Sequence, residues 1–278
     1  MLADGQSEII IGKALKHYDI DRESVVIMTK LYYPVLVGTS HRPQPAHNTG
    51  KLVNRMGLSR KHIFTAVEAS LERLGTTYID VLQLHRLDRD TSPEEVMCAL
   101  HDLVKMGKIH YLGGSSMYCW EFARLQYTAK LNHWTTFASM QNLWNLLYRE
   151  EEREMIPFCE AEGIGLIPWS PLARGLLARP WNSAATDRAA ADVKAKSWFV
   201  GNQDQETVGV VQKIAGRKNV GMGSVALAWL LAKDACPIVG LNSEERIEAV
   251  LEALSVSLDQ DEMKALEELY HPLSVQAH

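Results

Sequence analysis

The sequence predicts an α/β fold of the (β/α)8 barrel class, on three observations. Six short apolar runs, each too short for a helix, alternate with amphipathic helical stretches along the 278 residues. The runs lack alternating polar residues, which is typical of parallel strands buried on both faces. No G-x-G-x-x-G sequence follows an early strand, which disfavours a doubly wound dinucleotide-binding sheet.

The strands are predicted from runs rich in β-branched and apolar residues. In chain order they are Val25–Thr29, Ile79–Leu84, Ile109–Gly113, Phe137–Met140, Gly165–Pro168 and Pro237–Gly240. At least one helical stretch separates each pair of neighbouring runs, so parallel pairing with right-handed crossover connections is expected.

The helices are predicted from amphipathic periodicity and capping residues. Ser59 caps a helix with a buried stripe through Val67 and Leu71, and Ser92-Pro93-Glu94 supplies a cap, a first-turn proline and an early carboxylate. In chain order the predicted helices are Gln6–His17, Ser59–Leu74, Ser92–Met106, Trp120–Leu131, Glu150–Glu162, Asp204–Ala215, Ser224–Lys233 and Ser243–Leu254.

The predicted barrel is incomplete, because six strands are visible where the class has eight. The helix at Gln6–His17 has no strand before it, so the first two strands and the first helix are expected to be missing. We predict one barrel domain over residues 1–278, incomplete at its N-terminus. Residues 179–203, rich in Ala, Asp, Asn and Ser, are predicted to form a loop insertion over the barrel mouth.

Composition excludes several classes of partner. The formal net charge is −5 and no run of Lys or Arg forms a basic tail, which disfavours nucleic acid and anionic membranes. The four cysteines are widely spaced, with no metal-binding pattern, as in a reducing compartment. No apolar run approaches the ~20 residues of a membrane span, and no secretory signal is present. A cytoplasmic protein without a metal is predicted.

Chemistry is expected at the carboxyl ends of the strands, where barrel active sites lie. The residues there are Lys30, His85, Ser115-Ser116, Gln141-Asn142, Trp169-Ser170 and Gly240–Asn242. Taken singly, each has a structural explanation, such as a solvated lysine, a hydrogen-bonded core histidine or a packed tryptophan. A polar or aromatic residue at every strand end favours a functional site.

The stretch from Gly163 to Leu177 is the most informative part of the chain. An apolar strand runs into Trp169, a hydroxyl, a proline turn and the pair Arg174-Gly175. A flat indole can stack on a planar ring, and such a turn is expected to leave backbone N–H groups free for phosphate oxygens.

Five segments in the same order resemble the aldo-keto reductases, closest to the fungal aryl-alcohol-dehydrogenase-like and potassium-channel-β-like branch. They are Ile79–His85, Gly107–Ser116, Met140–Arg149, Pro168–Gly175 and Ile238–Ser243. The resemblance implies NADPH-dependent interconversion of an aldehyde or ketone and its alcohol. It also implies a barrel of aldo-keto reductase type and a catalytic set of Asp, Tyr, Lys and His.

The resemblance assigns roles residue by residue. Lys30 matches the catalytic lysine and His85 the histidine that orients the carbonyl, while Trp169 matches the residue that stacks on the nicotinamide. The groups that grip the carboxamide are matched by Ser115, Ser116 and Gln141. The pyrophosphate loop is matched by Ser170, Pro171, Leu172, Arg174 and Gly175. The adenosine end is matched by Gly240, Asn242 and Arg246.

Arg246 is the candidate partner of a 2′-phosphate, which favours NADP over NAD, because a guanidinium suits a phosphate dianion. Alternatively, Arg246 is a solvated surface residue beside the acidic pair Glu244-Glu245. At the adenine end, Ala249 stands where family members often have an acidic residue.

At the other end of the chain, Ala3–Glu8 resembles the family segment after the catalytic tyrosine, so Leu2 occupies the tyrosine's position and the aspartate is absent. Three hypotheses follow. The sequence is an N-terminally incomplete reductase; or it is a catalytically impaired pseudoenzyme or NADPH-binding module; or Tyr32, Tyr33 or Tyr118 supplies the proton instead.

The substrate is expected to be a small carbonyl or alcohol. By family analogy alone it is an aromatic or polyketide-derived compound of secondary metabolism, if the source is a filamentous fungus. The oligomeric state is left open.

Overall fold

The computed structural model describes residues 5–36, 50–183 and 201–276. The chain divides into two compact units, one running to Met140 and the other from Gln141 to Ala277, and each is described by itself. Most of the predicted insertion at 179–203 lies outside the described residues. The single domain over 1–278 stays a prediction.

The first unit is built on four strands in chain order. They are β1 (Met28–Leu31), β2 (Ile79–Leu84), β3 (Ile109–Ser115) and β4 (Phe137–Gln141). The pairings of β1 with β2 and of β2 with β3 are parallel, as predicted. In the register of these strands Lys30 lies opposite Gln83, and Gln83 lies opposite Gly113.

Strand β1 begins three residues later than predicted because side chains bond the preceding backbone. Arg22 donates to the carbonyl of Val25 at 3.0 Å, and the N–H of Ile27 donates to the Asp80 carboxylate at 2.8 Å. These contacts occupy the Val25 carbonyl and the Ile27 N–H, and the paired register with β2 begins at Met28.

Four helices of the first unit agree with prediction to within a residue or two at each end. They are α1 (Gln6–His17), α2 (Arg60–Leu74), α3 (Pro93–Lys105) and α4 (Cys119–Leu131). Ser59 and Ser92 accept hydrogen bonds from the third residues of α2 and α3, at 3.3 and 3.2 Å. These bonds satisfy N–H groups that a helix end would otherwise leave without a partner.

The second unit contains one short strand and five helices among its described residues. They are β5 (Gly165–Leu166), α5 (Met155–Glu162), α6 (Asn202–Lys218), α7 (Met222–Leu231), α8 (Glu244–Ala253) and α9 (Gln260–Glu267). The helix predicted over Glu150–Glu162 is a 3-10 turn over Glu150–Arg153 followed by α5. The Glu150 carboxylate accepts bonds from Tyr270 and from the backbone of Leu273, which fixes that turn.

The strand predicted at Pro237–Gly240 is wrong. Cys236 and Ile238 do donate backbone bonds to Leu166 and Pro168, at 2.8 and 2.9 Å, as in a parallel ladder. The return bond to the carbonyl of Cys236 would have to come from the nitrogen of Pro168, which carries no hydrogen. The same proline limits β5 to two residues where four were predicted.

Each unit has its own buried apolar core. In the first, strand residues such as Leu84 and Ile109 face stripes from α2 and α3 that include Val67 and Leu100. In the second, α7 is buried nearly all round and its Trp229 donates to Glu267 at 2.8 Å. In the described part of the chain, none of the helices is both long enough and apolar enough to cross a membrane.

Candidate active site

Lys30 and His85 lie at the carboxyl ends of neighbouring strands. Lys30 is in β1, and His85 directly follows β2, where its backbone N–H donates to the carbonyl of Leu31 at 2.9 Å. Both side chains are half-buried. The first unit therefore brings the two predicted catalytic residues to one edge of the sheet.

Two tyrosines follow Lys30 and continue this edge. The Tyr33 ring stands edge-on to the His85 imidazole, with centroids 5.3 Å apart and planes at 87°. Tyr32 packs on Tyr33 in the same manner at 4.9 Å and is buried. Burial raises the pKa of the Tyr32 phenol, and the nearby Asp88 carboxylate raises it further.

A cavity of about 980 Å³ in the first unit is lined by both Lys30 and Tyr33. Its wall combines apolar residues with several cations, which are Lys13, Lys16, Lys30, Arg55, Lys61 and Arg73. Arg73 is neutralised by an ion pair of 2.6 Å with Glu8. The cavity therefore presents apolar surface beside positive charge.

Ser115 ends β3 and Ser116 follows it. Both are buried, and their hydroxyl oxygens are 3.5 Å apart. Ser116 has a φ of 44°, so the chain turns sharply directly after the strand. Gly113, before them, has no room for a side chain, because an added Cβ would lie 2.7 Å from Cγ of Gln83. The serines thus occupy a tightly packed strand end.

Gln141 and Asn142 are buried at the end of β4. The Asn142 carbonyl accepts the backbone N–H of Trp169 at 2.8 Å, and its side-chain amide donates to Glu151 at 2.8 Å. The side-chain oxygen of Asn142 is buried and accepts no hydrogen bond from the described residues. A buried acceptor therefore lies on the residue that holds Trp169.

The carboxyl group of Glu151 is perturbed by the same packing. Burial raises its pKa to about 7, against the opposing effect of the hydrogen bond from Asn142. Glu151 is thus a buried group that changes charge near neutral pH.

The loop Ser170–Gly175 has an unusual backbone. Ser170, Ala173 and Arg174 have φ values of 57°, 44° and 58°, and that of Gly175 is 99°. The N–H groups of Ala173, Arg174 and Gly175 donate within the loop, to Ser170 and Leu172. The expectation that the turn leaves its N–H groups free is therefore wrong for these three.

The predicted adenosine-end residues lie on an exposed segment. Gly240 and Asn242 precede α8, and Arg246 lies in its first turn. Glu244 and Glu245 share that turn, so negative charge flanks the guanidinium. The helix N-terminus itself favours an anion, whereas these two carboxylates oppose one.

Two residues of this region were missed from the sequence. Buried Asn145 donates from its side chain to the carbonyl of Ser170 at 3.0 Å, and so supports the loop. Glu151 holds Asn142, as described above. Asn145 lies inside the segment Met140–Arg149, which carried the family resemblance, so a signal was present. Nothing in the residue pattern around Glu151 indicates its burial.

Comparison with known proteins gives consistent matches. A sequence model of the Aldo/keto reductase family matches residues 3–271. The versiconal hemiacetal acetate reductase of Aspergillus parasiticus is 49% identical over 99% of this chain and 82% of that protein. An aryl-alcohol dehydrogenase-like protein of Schizosaccharomyces pombe is 46% identical, over 98% of this chain and 86% of that protein.

A solved structure agrees. A thermostable aldo-keto reductase, crystallised with the inhibitor epalrestat, matches with a TM-score of 0.70 and 25% identity. The match covers 95% of this chain and 78% of that one, and it confirms the predicted fold class.

Proposed function

This chain belongs to the aldo/keto reductase family, and from that premise we propose that it interconverts aldehydes or ketones and their alcohols with NADP(H). One observation carries the proposal. Strands β2, β3 and β4 end in or lead directly to a residue that the family resemblance assigns to catalysis or to the cofactor, Lys30 is the last residue but one of β1, and Trp169 follows β5 by three residues. Packing alone does not require polar or aromatic side chains at every such end.

The residues present fit a nicotinamide dinucleotide. Trp169 is half-buried and fixed through its backbone, so one indole face suits stacking on a planar ring. We propose that Ser115, Ser116 and Gln141 bind the carboxamide, and that the buried Asn142 acceptor supports this polar environment. When bound, the reduced cofactor supplies a hydride to a carbonyl carbon.

The phosphates are assigned to the loop after Trp169. Since three loop N–H groups are used internally, we assign recognition of the pyrophosphate to the side chains of Ser170 and Arg174. Pro171, Leu172 and Gly175 shape the turn. At the other end Gly240 and Asn242 contact the adenosine, and Arg246 pairs with a 2′-phosphate, which favours NADP over NAD.

Lys30 and His85 act on the substrate in this proposal. The His85 imidazole orients the carbonyl oxygen by a hydrogen bond, and the Lys30 ammonium stabilises negative charge that develops on oxygen during reduction. Their common position at one edge of the sheet supports this division of roles.

A bulky oxygenated carbonyl compound of fungal secondary metabolism is the proposed substrate class. The support is the 49% identity to a protein named versiconal hemiacetal acetate reductase. All four cysteines are free thiols, which supports a cytoplasmic location.

The test is oxidation of NADPH at 340 nm by the full chain with a panel of aryl aldehydes and ketones. The Lys30→Met variant serves as the matched control and should be slower by roughly 10²–10⁴-fold. Carbonyl-dependent oxidation in the wild type that is no faster than in this variant would contradict the proposal.

A further inference from the structure

A buried carboxyl group of the second unit is linked to Trp169 through a single residue. Glu151 accepts the side-chain amide of Asn142 at 2.8 Å, and the Asn142 carbonyl accepts the backbone N–H of Trp169, also at 2.8 Å. We infer that Glu151 is a positioning residue for the nicotinamide end of the cofactor site, and that it acts as a neutral acid whose proton is donated to the side-chain oxygen of Asn142. The inference rests on the proposed function and extends it to a residue that acts through Asn142.

The side-chain oxygen of Asn142 is the observation that carries the inference. Asn142 is only 4% exposed, and this oxygen accepts no hydrogen bond from the described residues. The nitrogen of the same amide donates to Glu151. A carboxylate offers acceptors only, whereas a neutral carboxyl group has one O–H to donate. The neutral acid completes a ring of two hydrogen bonds with the amide and so supplies the donor that a buried oxygen requires.

The surroundings of Glu151 favour the neutral acid. Its side chain is buried, and burial raises its pKa to about 7 against the opposing effect of the bond from Asn142. The carboxylate of Glu150, next in the chain, adds to the rise. Below pH 7 the proton that the ring needs is therefore present on Glu151.

The cations nearest in the chain are committed to other carboxylates. Arg149 pairs with Glu152 at 2.6 Å, and Arg153 pairs with Glu150 at 2.7 Å. From the C-terminal segment, Tyr270 donates to Glu150. The segment Gln141–Asn145 contains no titratable side chain. Helix α5, which packs against the turn, brings Glu154 at its start and then Cys159, Glu160 and Glu162.

The segment that follows Asn142 holds the proposed cofactor loop at two further points. Leu143 forms a parallel bridge with Trp169, and the Asn145 side chain donates to the carbonyl of Ser170 at 3.0 Å. A change in how Asn142 is held is therefore transmitted to the start of the loop.

Two adjacent acids of one turn hold this segment. Glu151 binds Asn142, and Glu152 accepts the indole N–H of Trp144 at 2.8 Å. When Glu151 loses its proton, a carboxylate oxygen and the amide oxygen of Asn142 face each other with no hydrogen between them. The segment is then held less firmly, so binding of the cofactor should weaken as the pH rises through 7.

The first test measures the Kd for NADPH of the full chain at pH 6 and pH 8.5 by nicotinamide fluorescence. The reference is Glu151→Gln, whose amide donates to Asn142 and accepts from it without titrating. The 2′-phosphate of NADPH itself titrates at a pH of about 6, so the quantity compared is the ratio of the wild-type Kd to the Glu151→Gln Kd at each pH. This ratio should be within about twofold of one at pH 6 and should rise roughly three- to tenfold by pH 8.5, the worth of one hydrogen bond.

Two further variants separate positioning from simple packing. Glu151→Met is uncharged but cannot bond the amide, so its Kd should exceed that of Glu151→Gln by roughly three- to tenfold at both pH values. The exposed Glu160→Gln on α5 should follow the wild type at both. Circular dichroism at each pH checks that every variant is folded.

The second test needs no cofactor. The side-chain amide signals of Asn142, assigned from their loss in Asn142→Ala, are followed by proton–nitrogen NMR across the same pH range. They should shift with a midpoint near pH 7 in the wild type and in Glu160→Gln. In Glu151→Gln they should stay in place.

The outcomes separate this inference from the proposed function. Asn142 signals that do not titrate, a Kd ratio that is the same at both pH values, or tight binding by Glu151→Met overturns the role of Glu151 alone. A wild type that does not bind NADPH at either pH overturns the proposed function, even where the Asn142 signals titrate as expected.

Discussion

The side-chain amide of Asn142 donates a 2.8 Å hydrogen bond to the buried carboxyl group of Glu151. The backbone carbonyl of the same asparagine accepts the N–H of Trp169 at 2.8 Å. Glu151, whose pKa is about 7, is thus connected through one residue, Asn142, to Trp169, the side chain proposed to stack on the nicotinamide. Protonation of Glu151 is therefore coupled to the packing around this end of β4.

Glu151 should make the protein less stable as the pH rises through 7. Its folded pKa, raised by burial, exceeds the ordinary value of 4.5, so the native state binds its proton more tightly than the unfolded state. The stabilisation is complete below pH 4.5 and is lost as the pH passes 7, at a cost of up to about 3 kcal/mol.

The Glu151→Gln variant should remove this pH dependence. Its free energy of unfolding, from urea titrations at pH 6 and pH 8.5, should change less between the two values than that of the wild type. The exposed Glu160→Gln on α5 is the control and should follow the wild type. Identical pH dependence in wild type and Glu151→Gln would refute this account of Glu151.

Trp169→Ala should weaken NADPH binding by about tenfold, which corresponds to roughly 1.4 kcal/mol of lost stacking. The backbone bond from residue 169 to Asn142 does not depend on the side chain, so the fold should be retained. Trp120→Ala, on an exposed position of α4, is the control. Equal Kd values for the Trp169→Ala and Trp120→Ala proteins would count against a stacking role.

Arg246→Ala should weaken binding of NADPH about tenfold while leaving that of NADH unchanged, because only NADPH carries the 2′-phosphate. Isothermal titration with each cofactor measures the ratio of the Kd for NADH to the Kd for NADPH. The exposed Arg124→Ala removes a cation of the same type elsewhere and should leave the ratio unchanged. A parallel loss for NADH in Arg246→Ala would exclude a specific 2′-phosphate contact.

Gly113→Ala should destabilise the protein by about 1–3 kcal/mol, because the added methyl group meets Gln83 and Ser139 at 2.7 and 2.8 Å. Gly209→Ala provides a contrasting control within α6, where an added Cβ has no neighbour within 4 Å. It should stabilise by about 0.5–1 kcal/mol through helix propensity. Chemical denaturation of both variants measures the free energy of unfolding, which should fall in Gly113→Ala and rise in Gly209→Ala.

Local sequence signals were sufficient for most elements. The bounds of α1 and β2 agree with prediction, and the serine caps of α2 and α3 lie where the pattern placed them. Helix α9 was missed although Asp259 and Glu262 form a capping box that the sequence displays. The helix could have been predicted from this capping box, because a capping box is visible in the sequence and depends on no tertiary contact.

The remaining differences come from contacts between distant residues. The run Pro237–Gly240 reads as a strand, but the missing hydrogen on Pro168 breaks its ladder. The loop amides of Ala173, Arg174 and Gly175 are used by Ser170 and Leu172 because of left-handed backbone angles that side-chain identity does not reveal. The burial that shifts Glu151 likewise depends on packing around Asn142.

The most direct test of the central claim is titration of the full chain with NADPH, followed by nicotinamide fluorescence. We predict a saturable blue shift and transfer of excitation from tryptophan, with 1:1 stoichiometry and tighter binding than for NADH. Unchanged nicotinamide emission at millimolar NADPH, with a folded protein by circular dichroism, would contradict the claim that this chain binds the cofactor.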